Sequence, residues 1–121
     1  MLKIDIHTHI LPGNLNKLTK TFSDPRFLQL DKLDEQNAIL KKDQQSFRKV
    51  GCNCWDAPER IKDCNKTDVD MQVLSTIPVL FSYWADDAEC LKLSQFLNDH
   101  ISHIVRETPE YFLGLGTIPM Q

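Results

Sequence analysis

The chain has 121 residues, of which 41% are hydrophobic and 26% charged, and this is the balance of an ordinary globular protein with a modest core. The formal net charge is −3 with neither sign gathered in a block, which argues against nucleic-acid binding because that would need a basic stripe. No segment is apolar enough for a membrane span or a signal peptide, so we expect a cytosolic protein whose four cysteines are reduced.

The first half of the chain combines one apolar strand with a polar insertion. Residues 2–10 predict a buried β-strand, which ends at Pro12. The stretch 14–53 is more polar and predicts an insertion of small antiparallel strands that is not part of the main repeat. Its strands are expected at residues 27–30, 38–41 and 46–50, with a turn at 43–45.

Helices and strands alternate in the second half. Asp56 suits the N-cap of a helix that runs to about residue 66, and Glu59 would complete a capping box. Residues 69–76 predict a strand, and Asp86 then caps a long helix with an apolar stripe. The stripe consists of Leu93, Phe96, Leu97, Ile101 and Ile104. A third strand is expected at residues 112–119.

The order of elements predicts the fold class. Strands that alternate with helices call for an α/β fold with a parallel sheet and right-handed crossovers. Three such strands with two helices would leave an apolar sheet face and two strand edges uncovered. We therefore expect more chain, or a partner, to cover them.

His7 and His9, at the end of the first strand, form the strongest candidate site. Alternate residues of a strand point to the same face, so these two side chains and Asp5 are expected to share a face that Ile4 and Ile6 do not. Two imidazoles about 6.6 Å apart along a strand can converge on one cation. We predict that His7 and His9 are metal ligands and that Asp5 orients one of them. The alternative is a polar strand end with two solvated histidines.

Six sequence blocks together resemble one enzyme family. They are KIDIHTHILP at 3–12, FR at 47–48, CWD at 54–56, VLSTIPV at 73–79, FSYWA at 81–85 and GLGTIPMQ at 114–121. These blocks resemble the N-terminal part of the aminocarboxymuconate-semialdehyde decarboxylase family, in the metal-dependent amidohydrolase-like superfamily. The resemblance implies that residues 1–121 are the N-terminal portion of a (β/α)8 TIM barrel, with three parallel strands, two helices and an antiparallel insertion at about 14–53.

The resemblance also implies a function. A zinc-dependent decarboxylase of this family converts 2-amino-3-carboxymuconate 6-semialdehyde to 2-aminomuconate 6-semialdehyde in tryptophan (kynurenine) catabolism, which limits quinolinate and NAD synthesis. His7 and His9 would supply two zinc ligands, while the remaining ligands and the acid/base residue lie outside this chain. Arg48 would bind a carboxylate of the dicarboxylate substrate, and the complete enzyme would be a homodimer. The chain alone is expected to be inactive.

Two alternatives remain open. The HxH motif is shared with metal-dependent hydrolases of the same superfamily, so the chemistry could be hydrolysis. The chain could also be a non-catalytic truncated form that associates with a full-length subunit.

Other candidate residues are weaker. His100 and His103 fall on the second helix and are expected to be packed or surface residues, not ligands. Lys42 could lie near the substrate. The aromatic residues Phe81, Tyr83 and Trp84 could line the substrate cavity, although packing between the insertion and the barrel is favoured.

Overall fold

The computed structural model describes residues 1–121. It contains two three-stranded β-sheets and two long helices. The strands are β1 (Ile4–Ile10), β2 (Gln29–Lys32), β3 (Asn37–Lys42), β4 (Gln45–Gly51), β5 (Met71–Thr76) and β6 (Phe112–Gly114). The helices are α1 (Asn16–Thr19), α2 (Ala57–Thr67) and α3 (Asp87–Glu107). One sheet is parallel, in the order β1-β5-β6, and the other is antiparallel, in the order β2-β3-β4. The predicted α/β class is confirmed, with a parallel sheet of three strands and a separate antiparallel sheet within residues 14–53. No helix combines the length and the apolar character that a membrane crossing requires.

The first strand is less buried than the sequence predicts. Thr8 and Ile10 are buried at its carboxyl end, whereas the side chains of Ile4 and Ile6 are 43% and 77% exposed. β1 has β5 as its only neighbouring strand, so its other edge is open. The prediction of a buried strand is therefore correct only at the end that carries the histidines.

A β-bulge in β1 changes which residues share a face. Asp5 pairs with Gln72 and Thr8 with Leu74, so β1 contains one residue more than β5 across this interval. His9 pairs with Ser75, which lies on the opposite face of β5 from Gln72 because the two positions are an odd number apart. The prediction that Asp5 shares a face with His9 is therefore wrong, because simple alternation does not hold across a bulge.

The two long helices differ in how well their caps were predicted. Asp86 caps α3 as expected, because its Oδ1 accepts hydrogen bonds from the backbone N–H groups of Ala88 and Glu89 at 3.0 and 3.3 Å. Asp56 is the N-cap residue of α2, but its side chain accepts no capping bond. Glu59 instead forms an ion pair with Lys62 at 2.5 Å, so the predicted capping box is wrong.

The third strand is shorter than the sequence predicts. β6 ends at Gly114, although the backbone N–H of Leu115 still donates to Leu74 O at 2.9 Å. Beyond that point the side chain of Asn98 on α3 replaces strand pairing. Its Nδ2 donates to Thr117 O and its Oδ1 accepts from Thr117 N–H, both at 2.8 Å.

The buried stripe of α3 serves two separate cores. Leu93 and Leu97 pack against the antiparallel sheet and the segments around it. Ile101 and Ile104, further along α3, pack with Ile10, Leu74 and Phe112 of the parallel sheet. One helix therefore fixes the position of the insertion relative to the strand that carries the histidines.

Candidate metal and substrate site

The two histidines of β1 lie side by side. The ring centroids of His7 and His9 are 5.0 Å apart, with the ring planes at 89°. His9 is partly buried, whereas His7 is exposed. Both imidazoles thus lie on the same side of the strand, as the sequence predicts. They are close enough together for both to contact one ion.

Ser75 on β5 holds His9 in place. The two residues are direct partners in the parallel ladder, so their side chains rise from the same face of the sheet. The Oγ atom of Ser75 lies 3.0 Å from His9 Nδ1 and donates a hydrogen bond to Thr8 O, also at 3.0 Å. Sequence reasoning missed Ser75, because the strand register that pairs it with His9 cannot be read from composition or periodicity.

His9 and Arg48 line the same cleft, which has a volume of about 360 Å³. Arg48 lies on β4 opposite Leu40 of β3, and its side chain is exposed. The cleft is lined by His9, Leu11, Leu40, Phe47, Arg48, Val50, Cys54, Ile77, Pro78 and Val79. An arginine and a histidine therefore line a mostly apolar cleft, a combination that suits a carboxylate with a hydrocarbon body.

His9 also lines a second cleft, which has a volume of about 340 Å³. Phe81 and Tyr83 are among its lining residues, and their rings stack with centroids 5.5 Å apart. Trp84 packs instead against Phe27 of the insertion, at a centroid distance of 4.9 Å. The aromatic block thus divides between the two roles considered from the sequence, with Trp84 in packing and Phe81 and Tyr83 at a cleft.

Cys54, the first residue of the CWD block, also lines the first cleft. Burial raises the pKa of its thiol, and the positive charges of Arg60 and Arg48 oppose this effect. The thiol is therefore held in its neutral form. Lys42, by contrast, pairs with Gln45 beside the hairpin turn and does not line this cleft.

The remaining histidines lie apart from this site. His100 and His103 belong to a separate groove between α3 and the start of α2. His100 is partly buried, its Nδ1 has no hydrogen-bond partner, and burial lowers its pKa to about 4. His103 is exposed. Neither ring approaches His7 or His9, so these two histidines remain outside the candidate ligand set.

The structure brings the two predicted metal ligands, His7 and His9, next to each other. No group of three or more His, Cys, Asp or Glu side chains is placed to hold an ion. Two adjacent imidazoles, one of them fixed through Nδ1, nevertheless match the donor chemistry that zinc prefers. The chemistry of His7 and His9 therefore fits a metal, whose other ligands would have to come from outside these residues.

Comparisons with known proteins agree with the motifs. The chain is 48% identical over 120 residues to the 2-amino-3-carboxymuconate-6-semialdehyde decarboxylase of Dictyostelium discoideum, a match that covers 99% of the chain and 33% of the relative. It is 40% identical over 118 residues to the enzyme of the same name from Caenorhabditis elegans, covering 98% of the chain and 29% of the relative. The resemblance read from the sequence is confirmed. The chain spans about a third of the length of these curated relatives. No family model matches it.

Solved structures share the fold at lower identity. The IDCase of Metarhizium anisopliae in its apo form matches with a TM-score of 0.73 and 15% identity, over 98% of this chain and 35% of that protein. The 5-carboxyvanillate decarboxylase of Sphingomonas paucimobilis matches with a TM-score of 0.64 and 17% identity, over 97% of this chain and 34% of that protein. The arrangement of the parallel sheet and the insertion is therefore shared with larger proteins.

Proposed function

We propose that this chain is the N-terminal portion of a zinc-dependent decarboxylase that converts 2-amino-3-carboxymuconate 6-semialdehyde to 2-aminomuconate 6-semialdehyde. The observation that carries the proposal is the 48% identity, over 99% of the chain, to a decarboxylase of that name. In the complete protein the three parallel strands would be the first of a (β/α)8 barrel. The activity would belong to tryptophan catabolism and limit quinolinate and NAD synthesis.

Arg48 is the proposed substrate-binding residue. Its guanidinium can hold a carboxylate through two parallel hydrogen bonds, an arrangement that fixes both distance and orientation. The apolar residues of the cleft, such as Leu40 and Val79, would contact the conjugated carbon skeleton and exclude water. A dicarboxylate bound in this way extends from Arg48 toward His9, which lines the same cleft.

His7 and His9 are the proposed zinc ligands. A bound zinc ion would supply Lewis-acid chemistry and a water activated near neutral pH. The contribution of this chain is to hold one end of the substrate at Arg48 and to keep the reacting carbon close to the two imidazoles. Such positioning lowers the entropy that the reaction must lose to reach its transition state.

The test is a steady-state assay of the full-length Arg48→Gln variant, in which substrate absorbance and carbon dioxide release are measured. Loss of a charge-assisted hydrogen-bond pair predicts a fall in kcat/KM of about 10- to 100-fold, mainly through KM. Lys49→Gln is the matched control, since Lys49 is the neighbouring exposed cation on β4 and does not line the cleft. Unchanged kinetics in Arg48→Gln would contradict the assignment.

Further assays of the full-length protein test the hydrolase alternative and the expected homodimer. If the full-length protein hydrolysed amide substrates and released no carbon dioxide, it would be a metal-dependent hydrolase and not a decarboxylase. The homodimer is tested by sedimentation of the full-length protein. The 121-residue chain alone is expected to be inactive, because His7 and His9 supply only two ligands. If this chain alone bound zinc stoichiometrically and turned over substrate, its expected inactivity would be wrong.

A further inference from the structure

The contact between His9 and Ser75 determines which nitrogen of His9 carries a proton. A neutral imidazole has one N–H donor and one acceptor nitrogen, and the partner of one nitrogen decides the role of the other. His9 Nδ1 lies 3.0 Å from Ser75 Oγ. The tautomer of His9 therefore depends on whether the Ser75 hydroxyl donates or accepts in this contact.

The hydroxyl hydrogen of Ser75 takes part in a different hydrogen bond. Ser75 Oγ on β5 donates to the backbone carbonyl of Thr8 on the neighbouring strand β1 at 3.0 Å. A hydroxyl has one hydrogen and two acceptor lone pairs, so Ser75 Oγ can meet His9 Nδ1 only as an acceptor. Nδ1 must then carry the proton, and Nε2 is left with its lone pair.

We infer that Ser75 is a positioning residue that fixes His9 as the Nδ1–H tautomer and so presents Nε2 to a divalent cation. The inference rests on the proposed function in taking His9 as a ligand. It goes further in assigning the residue and the nitrogen through which this ligand is prepared. Metal-bound histidines commonly donate their other N–H to an oxygen atom, which fixes the ring and raises its basicity.

The two histidines are not equivalent in this respect. The side chain of His7 forms no hydrogen bond and is exposed, whereas His9 is partly buried and held through Nδ1. The direct pairing of His9 with Ser75 also places the hydroxyl on the histidine face of the sheet. His9 is therefore oriented before any ion binds, while His7 is free to adjust to it.

The decisive measurement is the nitrogen NMR spectrum of histidine-labelled, metal-free full-length protein at pH about 8, where an ordinary imidazole is neutral. The resonances of His9 are identified by their loss in His9→Gln. The inference predicts a protonated Nδ1 and an unprotonated Nε2 in the wild type. Ser75→Ala should produce a mixture of tautomers, and Ser75→Thr, which keeps the hydroxyl, should restore the wild-type pattern.

Thr8→Val is the matched control. The Thr8 hydroxyl makes a similar bond between the same two strands, to Val73 O at 2.9 Å, without touching His9. Its removal should leave the His9 spectrum unchanged. A wild-type His9 protonated at Nε2, or a tautomer ratio that Ser75→Ala does not alter, would overturn the inference. The wild-type spectrum decides the first point even if a variant fails to fold.

Metal titration provides the second readout. Loss of an oxygen partner of a ligating histidine typically weakens metal binding by 10- to 100-fold, so zinc affinity should fall by about tenfold or more in Ser75→Ala and stay unchanged in Thr8→Val. If the wild-type tautomer is as predicted but zinc does not bind at His9, the metal assignment under the proposed function fails and the tautomer assignment stands. An unchanged affinity in Ser75→Ala, with zinc bound at His9, would contradict the role of Ser75 in metal binding.

Discussion

His9 and Arg48 line one cleft although they belong to different sheets. Arg48 lies opposite Leu40, whose side chain is part of the core that the insertion shares with α3. His9 precedes Ile10, which packs with Ile101 in the other half of α3. The distance between the two polar groups is therefore fixed by a single helix, and the cleft can hold a substrate in a defined orientation.

Replacement of either histidine of β1 by alanine in the full-length protein should remove zinc and activity together. His7→Ala or His9→Ala takes away one of the proposed ligands, and we expect bound zinc to fall well below one ion per chain, with at least a 100-fold loss of turnover. Metal analysis and the absorbance assay on the same samples check this. His103→Ala, on the exposed face of α3, is the control and should change neither quantity. Retained zinc with normal turnover in His7→Ala would show that this residue is not a ligand.

The sequence predicts the elements of this fold better than it predicts their pairing. The cap of α3 depends on Asp86 and its immediate neighbours, and this local chemistry is visible in the sequence. The bulge in β1 is a property of the ladder with β5, so the sequence pattern placed Asp5 on the wrong face. The partnership of His9 with Ser75 was missed for the same reason.

The length of β6 shows a second limit of the sequence pattern. Residues 112–119 have the composition of a strand, but a strand also needs a partner for its backbone groups. After Leu115 that partner is the side chain of Asn98, from the middle of α3. The candidate residues His7, His9 and Arg48 were predictable because they stand in sequence motifs. The cleft that His9 and Arg48 share is visible only in the tertiary structure.

A side chain at Gly114 is predicted to destabilise the protein. A Cβ atom at this position would lie 2.6 Å from Ile101 Cγ2, because β6 approaches α3 closely there. Gly114→Ala should lower the free energy of unfolding by about 1–3 kcal/mol, the usual cost of overpacking a core. Gly51→Ala is the control, since its nearest contact would be an ordinary 3.4 Å to Asn53 Oδ1. Equal urea midpoints for the two variants would contradict the close approach.

Asn98 should stabilise the segment that follows β6. Asn98→Ala removes both hydrogen bonds to the Thr117 backbone, and we expect a loss of about 1–2 kcal/mol in unfolding free energy. Hydrogen exchange at the amide of Thr117 should accelerate as well. Asp99→Ala, at the adjacent exposed position of the same helix, controls for the change in helix propensity. Slow exchange at Thr117 in Asn98→Ala would rule out this anchoring role.

His100 should make the stability of the protein depend on pH in a defined window. Burial, with a smaller contribution from His103, lowers its pKa from 6.5 to about 4, so the folded protein keeps this ring neutral while the unfolded chain protonates it. The unfolded state therefore binds more protons between these values, and the contribution of His100 to stability is complete above pH 6.5 and decreases as the pH falls toward 4. Asp56, His103 and Glu107 are the other ionisable residues that line the same groove, so the effect of His100 is isolated by comparison of variants. Urea midpoints measured across this window should fall less steeply in His100→Leu than in the wild type, and His103→Gln should largely keep the wild-type slope. If His100→Leu and the wild type showed the same pH dependence, the ring would not be held neutral in the folded state.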